Sequence, residues 1–171
     1  MTISPVHHTN ISVTDLDRSI AFYRDVLGYR VNMRAPVERP EFQRYMHVEA
    51  GTTGEMAMLH TGDSPTVGMI ELLQWDPPVE NPTPPKRAGD PGVCMIVVEV
   101  RDATLEDVRE RMAAQGVEPW SDIVEIPLEG YPPFRGMVIE DPDGVLIELI
   151  QLPTLEEARA YRAAQRAPQP V

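Results

Sequence analysis

The chain states one pattern twice. Val6-His7-His8-Thr9-Asn10-Ile11-Ser12-Val13-Thr14-Asp15 opens a first copy that closes with Ile70-Glu71-Leu72-Leu73-Gln74. Val93-Cys94-Met95-Ile96-Val97-Val98-Glu99-Val100-Arg101-Asp102 opens a second that closes with Ile147-Glu148-Leu149-Ile150-Gln151. A fixed self-similarity of this kind marks a duplicated structural unit. In register, Val13 aligns with Val100, Asp15 with Asp102 and Glu71 with Glu148, while His8 aligns with Met95. A duplicated fold that sets ionisable residues at equivalent strand positions is a natural builder of one shared polar site, so the functional question narrows to those four positions.

Other function classes recede on composition. With 27 acidic against 15 basic side chains the formal net charge is −12, which repels phosphate backbones and anionic membrane surfaces, so neither nucleic acid nor membrane is expected as a partner. No apolar stretch approaches the length of a membrane span. The one cysteine, Cys94, leaves no intrachain disulfide framework and suits a reducing compartment. Met1 to Pro5 lead directly into the run at Val6, without a charged segment followed by an apolar one. The expected location is the cytoplasm. A chain of 171 residues can bury enough apolar surface to fold without staples.

Periodicity divides the chain. Between Val6 and Val13, polar His8, Asn10 and Ser12 interleave with apolar Ile11 and Val13, the pattern of a half-buried strand. Leu16, Ile20, Tyr23 and Val26 or Leu27 then recur at helical spacing, with Thr14 and Asp17 placed as a capping box and Gly28 placed to end the helix. The second copy repeats this with Leu105, Val108 and Met112, framed by Thr104, Asp107 and Gly116. Further strands are predicted at Arg44–Glu49, Glu55–His60 and Met69–Trp75, and again at Asp122–Ile126, Gly136–Ile139 and Val145–Gln151. Asp141-Pro-Asp-Gly144 is a tight-turn signal joining the last two as a hairpin. Each half thus reads βαβββ: residues 1–75 form a first module and 93–152 a second. The segment 76–92 between them holds six of the 18 prolines, which predicts a stiff, extended connector. After Pro153, Leu155–Gln165 reads as a surface helix followed by a frayed tail within residues 153–171.

These residues carry a resemblance. His8-x4-Val13-x-Asp15-Leu16-x-Arg18-Ser19-Ile20-Ala21-Phe22-Tyr23-x2-Val26-Leu27-Gly28, the Ile70-Glu71-Leu72 strand and the closing Asp141-Pro-Asp-Gly-x-Leu-Ile-Glu148-Leu are similar to the vicinal oxygen chelate superfamily. That superfamily includes glyoxalase I, methylmalonyl-CoA epimerase, extradiol dioxygenases, fosfomycin-resistance enzymes and bleomycin-binding proteins. The resemblance spans the chain to about Leu152, and it implies an α+β fold of two paired βαβββ modules whose curled mixed sheets form a cup. In the glyoxalase and epimerase branches a metal is held from the first and last strands of each module, which map to His8, Glu71, Met95 and Glu148. Carried over, this makes His8, Glu71 and Glu148 the expected ligands of a divalent Mn, Fe, Co, Ni or Zn ion. One of the two carboxylates, Glu71 or Glu148, is then the expected proton-moving catalytic group.

Met95 departs from the histidine expected there, and a neutral thioether suits Cu(I) better than those borderline cations. Glu99, two pleats along on the same face, is the candidate replacement or outer ligand. Asn10, Met95, Glu99, Tyr131 and Phe134 are the expected pocket residues, the last two from a Glu129-Gly-Tyr-Pro-Pro-Phe134 loop placed to cover the cup. Glu71 and Glu148 share their strand faces with Met69, Leu73 and Trp75, and with Leu146 and Ile150, so each is expected within an apolar wall where a carboxylate needs a counter-cation or a proton. His7, His47 and His60 have no counterpart in the repeat and read as structural or surface residues. No phosphate loop, zinc-type Cys/His spacing or nucleophile elbow is present.

The resulting expectation is a glyoxalase-like metal-dependent lyase or isomerase that acts on a small carbonyl-containing or thioester substrate by proton transfer with enolate stabilisation. Two other classes stand beside it: a metal-free sequestering protein of the bleomycin-resistance type, and a ring-cleaving dioxygenase, which needs a second histidine. A homodimer is expected, because members of the superfamily commonly cover the apolar faces of such modules by pairing.

Overall fold

The structure, a computed structural model, describes residues 4–62, 67–77, 89 and 91–166. The element order is β1 (His8–Ser12), α1 (Leu16–Asp25), β2 (Arg30–Val37), α2 (Pro40–Met46), β3 (Thr53–His60), β4 (Met69–Asp76), β5 (Ile96–Glu99), α3 (Leu105–Ala114), β6 (Val124–Leu128), β7 (Tyr131–Glu140), β8 (Leu146–Gln151) and α4 (Leu155–Arg166). The strands form two mixed four-stranded sheets, ordered β1-β4-β3-β2 and β5-β8-β7-β6. In each, the first strand runs parallel to the last while the others pair antiparallel. The α+β class follows. The chain groups into two compact units, Met1–Pro85 with Asp141–Asp143, and Lys86–Glu140 with Gly144–Val171. No helix among the described residues is long and apolar enough to cross a membrane.

In the first unit α1 covers one face of its sheet. The Leu16 N–H donates to Gln74 Oε1 at 2.6 Å, which fixes the helix on the side of β4 that carries Ile70 and Leu72, by the two-residue alternation of a strand. Leu16, Tyr23, Ala57, Leu59 and Leu72 are each 2% exposed or less. Burying a large side chain of this kind is worth about 1.5–3 kcal/mol against leaving it in water, so the helix and the alternate positions of β3 and β4 hold this unit together. Glu71 and its neighbours necessarily take the opposite face. The second unit repeats the arrangement: Arg135 of β7 pairs with Glu106 of α3, placing α3 on the Met137 and Ile139 side, where Leu105, Met112, Met137, Ile139, Ile147 and Leu149 are nearly fully buried.

The helix boundaries show local chemistry at work. The second-copy capping box is present: Thr104 Oγ1 accepts from the Asp107 N–H and the Asp107 carboxylate accepts from the Thr104 N–H. In the first copy the cap is Asp15, whose side chain accepts from the Arg18 N–H at 3.0 Å, so the expected Thr14–Asp17 box does not form. The Thr14 hydroxyl is drawn instead to Asp143 Oδ1 at 2.5 Å. Gly28 and Gly116 lie just beyond the two helices at φ +77° and +69°, the left-handed conformation that closes a helix without a Cβ clash.

The turn residues 141–143 belong with the first unit. Tyr23 donates to Asp141 Oδ2 at 3.1 Å, and burial together with the Asp141 carboxylate pushes the Tyr23 hydroxyl far above the usual phenol range. Asp143 accepts from Thr14, Arg18 and Ser19.

Three predicted elements differ. Arg44–Glu49 is not a strand: Pro40–Met46 is α2, with Pro40 in the first turn and His47 at φ +55° after it. Pro suits the first helical position because its missing N–H has no partner there anyway. The third antiparallel strand of the first sheet is β2, Arg30–Val37, which contains Pro36. The expected 129–134 loop is largely strand, since β7 begins at Tyr131 and only Glu129 and Gly130 turn the hairpin. Most of the 76–92 connector and the tail after Arg166 lie outside the described residues.

Candidate functional site

The parallel pairing of β1 with β4 sets Asn10 opposite Glu71. His8, two residues before Asn10, therefore points to the same face, and its Nε2 meets Glu71 Oε2 at 3.0 Å. Glu71 is 6% exposed. Antiparallel pairing extends the row, with Met58 opposite Glu71 and Met33 opposite Met58. The expected apolar wall is thus present and is built largely from methionine. The His7 Nδ1 lies 2.8 Å from the His8 Nδ1, so one of the two nitrogens carries the proton and the other accepts it. When His8 donates Nε2–H to Glu71, His7 must donate to His8. When Nε2 is left free for a cation, His8 donates to His7, the kind of outer partner that orients a ligating imidazole. His7, expected as a structural or surface residue, is exposed and makes this contact from the surface, and the adjacent His-His pair is the sequence signal for it.

In the second unit β5 pairs with β8 so that Val97 stands opposite Glu148, and Val138 of β7 stands on its other side. Val97 thus occupies the place of Asn10, and Met95, two residues earlier, the place of His8. Met95 is half-buried and precedes the first residue of β5. Glu148 is half-buried and makes no hydrogen bond or ion pair with any described residue. Glu99 lies opposite Ile150, on the Glu148 face, but its carboxylate is taken by Arg101 at 2.9 Å. Phe134 pairs with Ile126 and Tyr131 with Leu128, across a bulge that gives β7 one extra residue. Phe134 is half-buried and Tyr131 is 64% exposed. His60 lies two residues beyond Met58 and shares the Glu71 face; its Nδ1 is buried without a partner.

The donor set can be tested against a divalent cation. Ligand bonds of about 2.0–2.2 Å to nitrogen and oxygen put two adjacent ligands of an octahedral ion about 3 Å apart, the separation of His8 Nε2 and Glu71 Oε2, 3.0 Å. The pair fits two neighbouring coordination positions. Among the described residues no group of three or more His, Cys, Asp or Glu stands together, and Glu148, the third expected donor, lies in the second unit.

Comparison with known proteins identifies the family and the fold. The family model described as the Glyoxalase/Bleomycin resistance protein/Dioxygenase superfamily matches residues 6–149. A 2-epi-5-epi-valiolone epimerase of Actinomyces sp is 27% identical over 152 residues, covering 86% of this chain and 79% of its own. The mitochondrial methylmalonyl-CoA epimerase of Mus musculus is 29% identical over 149 residues, covering 85% and 72%. Among solved structures, a glyoxalase family protein from Bacillus cereus superposes with a TM-score of 0.73 at 23% identity, over 88% of this chain and 95% of that one. A variant of the fosfomycin resistance protein of Listeria monocytogenes, solved with Mn(II) and 1S,2S-dihydroxypropylphosphonic acid, gives 0.57 at 18% identity, over 91% and 98%. With the repeat, the like strand order of the two sheets and the family match in agreement, the chain belongs to the Glyoxalase/Bleomycin resistance protein/Dioxygenase superfamily.

Proposed function

We propose that the protein is an isomerase of the epimerase type, moving a proton at a carbon next to a carbonyl, with Glu71 and Glu148 as the proton-moving groups. The observation that carries this reading is the register: each sheet presents one glutamate at the same position of its last strand, Glu71 opposite Asn10 and Glu148 opposite Val97. Epimerisation takes a proton from one side of a carbon and delivers one to the other, so two carboxylates serve it where hydrolysis or ring cleavage would ask for other groups. The C–H bond breaks, the proton passes to a carboxylate, and the electron pair enters the carbonyl as an enolate. The other glutamate, present as the carboxylic acid, delivers its proton to the opposite side of the carbon, which completes the inversion and leaves the two protonation states exchanged. The epimerase relatives support the same reaction class.

Glu148 is the better initial base because no described residue holds its oxygens, whereas Glu71 is committed to His8. His8 and Glu71 are the residues that would hold a divalent cation. Such an ion supplies Lewis-acid polarisation of the carbonyl when bound. The chain's own contribution is to fix the His8 ring through Glu71 and His7. Glu71→Gln and Glu148→Gln should each lower inversion of a 2-methylacyl thioester by about 10²–10⁴-fold, the usual yield of a positioned acid or base. Each should also leave some washing-in of solvent deuterium if the remaining carboxylate still works. Full turnover in both variants overturns the proposal. The working form is proposed to be a homodimer, supported by Val97, Val124, Leu128 and Tyr131 of the second unit, which are 47–64% exposed.

A further inference from the structure

The second sheet has a back that takes no part in the proposed proton transfer. There β6, β7 and β8 set Glu125 opposite Arg135 and Arg135 opposite Gln151, in one row. Gln151 lies three residues beyond Glu148, so strand alternation turns this row away from the Glu148 face. Helix α4 packs against β7. Its Glu157 and Tyr161, one helical turn apart, close a cavity of about 450 Å³ over the row, with Pro132, Pro133 and Leu152 among the other walls. Small-molecule sites have volumes of this order. Every residue that lines the cavity belongs to the second compact unit.

The lining selects a kind of ligand. Arg135 is the one cation in it, and its guanidinium forks onto both carboxylate oxygens of Glu106, so its charge is already matched. Glu125 and Glu157 remain. The Thr154 N–H and hydroxyl both donate to Glu157 Oε2, at 2.7 and 2.8 Å, which holds that carboxyl below its ordinary range and therefore ionised. Its second oxygen is left to accept from elsewhere. Gln151 buries its Oε1 without a partner, and the soft terminal torsion of a glutamine lets that oxygen turn to a donor entering the cavity. An anion would meet two glutamates, and a wholly apolar molecule would leave Gln151 unpaired. A donor carrying positive charge answers both. The Tyr161 ring and the two prolines offer surface to its hydrocarbon body, and an aromatic face attracts a cation set beside it.

We propose that the cavity between α4 and the back of the second sheet binds a small organic cation, an ammonium group on an alkyl or aromatic body, with Gln151, Glu125 and Glu157 as its acceptors. The site is independent of the proton-transfer reading. The test uses the full chain at neutral pH with 2-phenylethylammonium as the probe, and 2-phenylethanol and 3-phenylpropanoate as its neutral and anionic counterparts. Titration followed by NMR should move the Gln151 side-chain amide and the Tyr161 ring saturably. The ammonium should bind about 10-fold or more tightly than either counterpart, the yield of a hydrogen bond that involves a charged group.

Two variants sharpen the result. Gln151→Leu should weaken the ammonium by about 10-fold with no loss of thermal stability, and Glu125→Gln, at an exposed position, should weaken it by about 5-fold. Mn(II) affinity should be unchanged in both, because His8 and Glu71 belong to the first unit. Equal binding of the three probes, tighter binding of the carboxylate, or ammonium binding that leaves Gln151 and Tyr161 unmoved would each overturn the proposal. So would the absence of saturation at millimolar probe, or full affinity in the folded Gln151→Leu and Glu125→Gln proteins.

Discussion

The two repeats share a backbone and differ in what they do with the same letters. Glu71 and Glu148 occupy one register position in two sheets of the same strand order. Yet Glu71 is buried against His8, while Glu148 is half-buried with Val97 and Val138 as neighbours. Three residues further on, Gln74 Oε1 accepts the first N–H of α1, whereas Gln151 Oε1 is buried with no partner. Duplication therefore preserves the frame, while the exchanges on the first strand, His8 for Met95 and Asn10 for Val97, give the two glutamates different neighbours.

Making the halves alike should break that comparison. The largest effect is expected from His8→Met, which removes the imidazole and gives the first repeat the side chain of the second. Mn(II) or Zn(II) affinity measured by calorimetry should fall by more than the roughly 10–100-fold that follows loss of an outer partner of a ligand, with the fold retained by circular dichroism. Next is Met95→His, which should tighten the same binding by about 10-fold while lowering any turnover by filling a position that substrate or water would take. Equal affinities in wild type and Met95→His would show that Met95 does not serve the site.

The glutamines come third. Gln74→Leu leaves the Leu16 N–H without its acceptor and should destabilise the protein by about 1–3 kcal/mol. Gln151→Leu removes an orphaned acceptor and should be neutral or stabilising. Thermal melts compare the two, since about 1 kcal/mol moves Tm by roughly 2–4 °C at this size, and equal losses would show that the buried Gln151 oxygen is satisfied in solution. The smallest effect is in acid. Asp107, which accepts from the Thr104 backbone and hydroxyl, is held below the ordinary carboxylate range. Its capping contribution is therefore fully present above the unfolded value and is lost as pH falls through the lower folded one. Asp107→Asn should flatten that part of the stability profile; an unchanged acid slope would remove Asp107 from the account of α3.

What the sequence disclosed follows the reach of each interaction. Helices α1 and α3, the Thr104–Asp107 cap and the closing glycines depend on residues within a turn of one another, and all were readable. His8 and Glu71 could be matched because the repeat supplied the register. Thr14 was misassigned because its hydroxyl answers to Asp143, 129 positions away, and Gln74 and Gln151 look identical until the distant backbone each one faces is known. β2 escaped because Pro36 interrupts an otherwise alternating Val31, Met33, Ala35, Val37 run. α2 was misread because a short helix buries little: Gln43 is its one buried residue, and no apolar stripe announces it.

The prolines on β2 and β6, and the irregular pairing of each strand with its neighbour, bear on how such a chain avoids aggregation. Each of these outermost strands carries a proline, Pro36 or Pro127, and pairs through an irregularity, at Val31/Met33 or Ile126/Leu128. A strand edge missing an amide and locally over-twisted is a poor template for another chain's backbone. The opposite edges, β1 and β5, hold no proline and pair with one neighbour apiece in a regular parallel ladder. Among the described residues each sheet is thus blunted on one side and carries a regular, proline-free strand on the other, which favours growth by strand addition at β1 and β5. In a stressed preparation, new amide protection should first arise in β1 and β5.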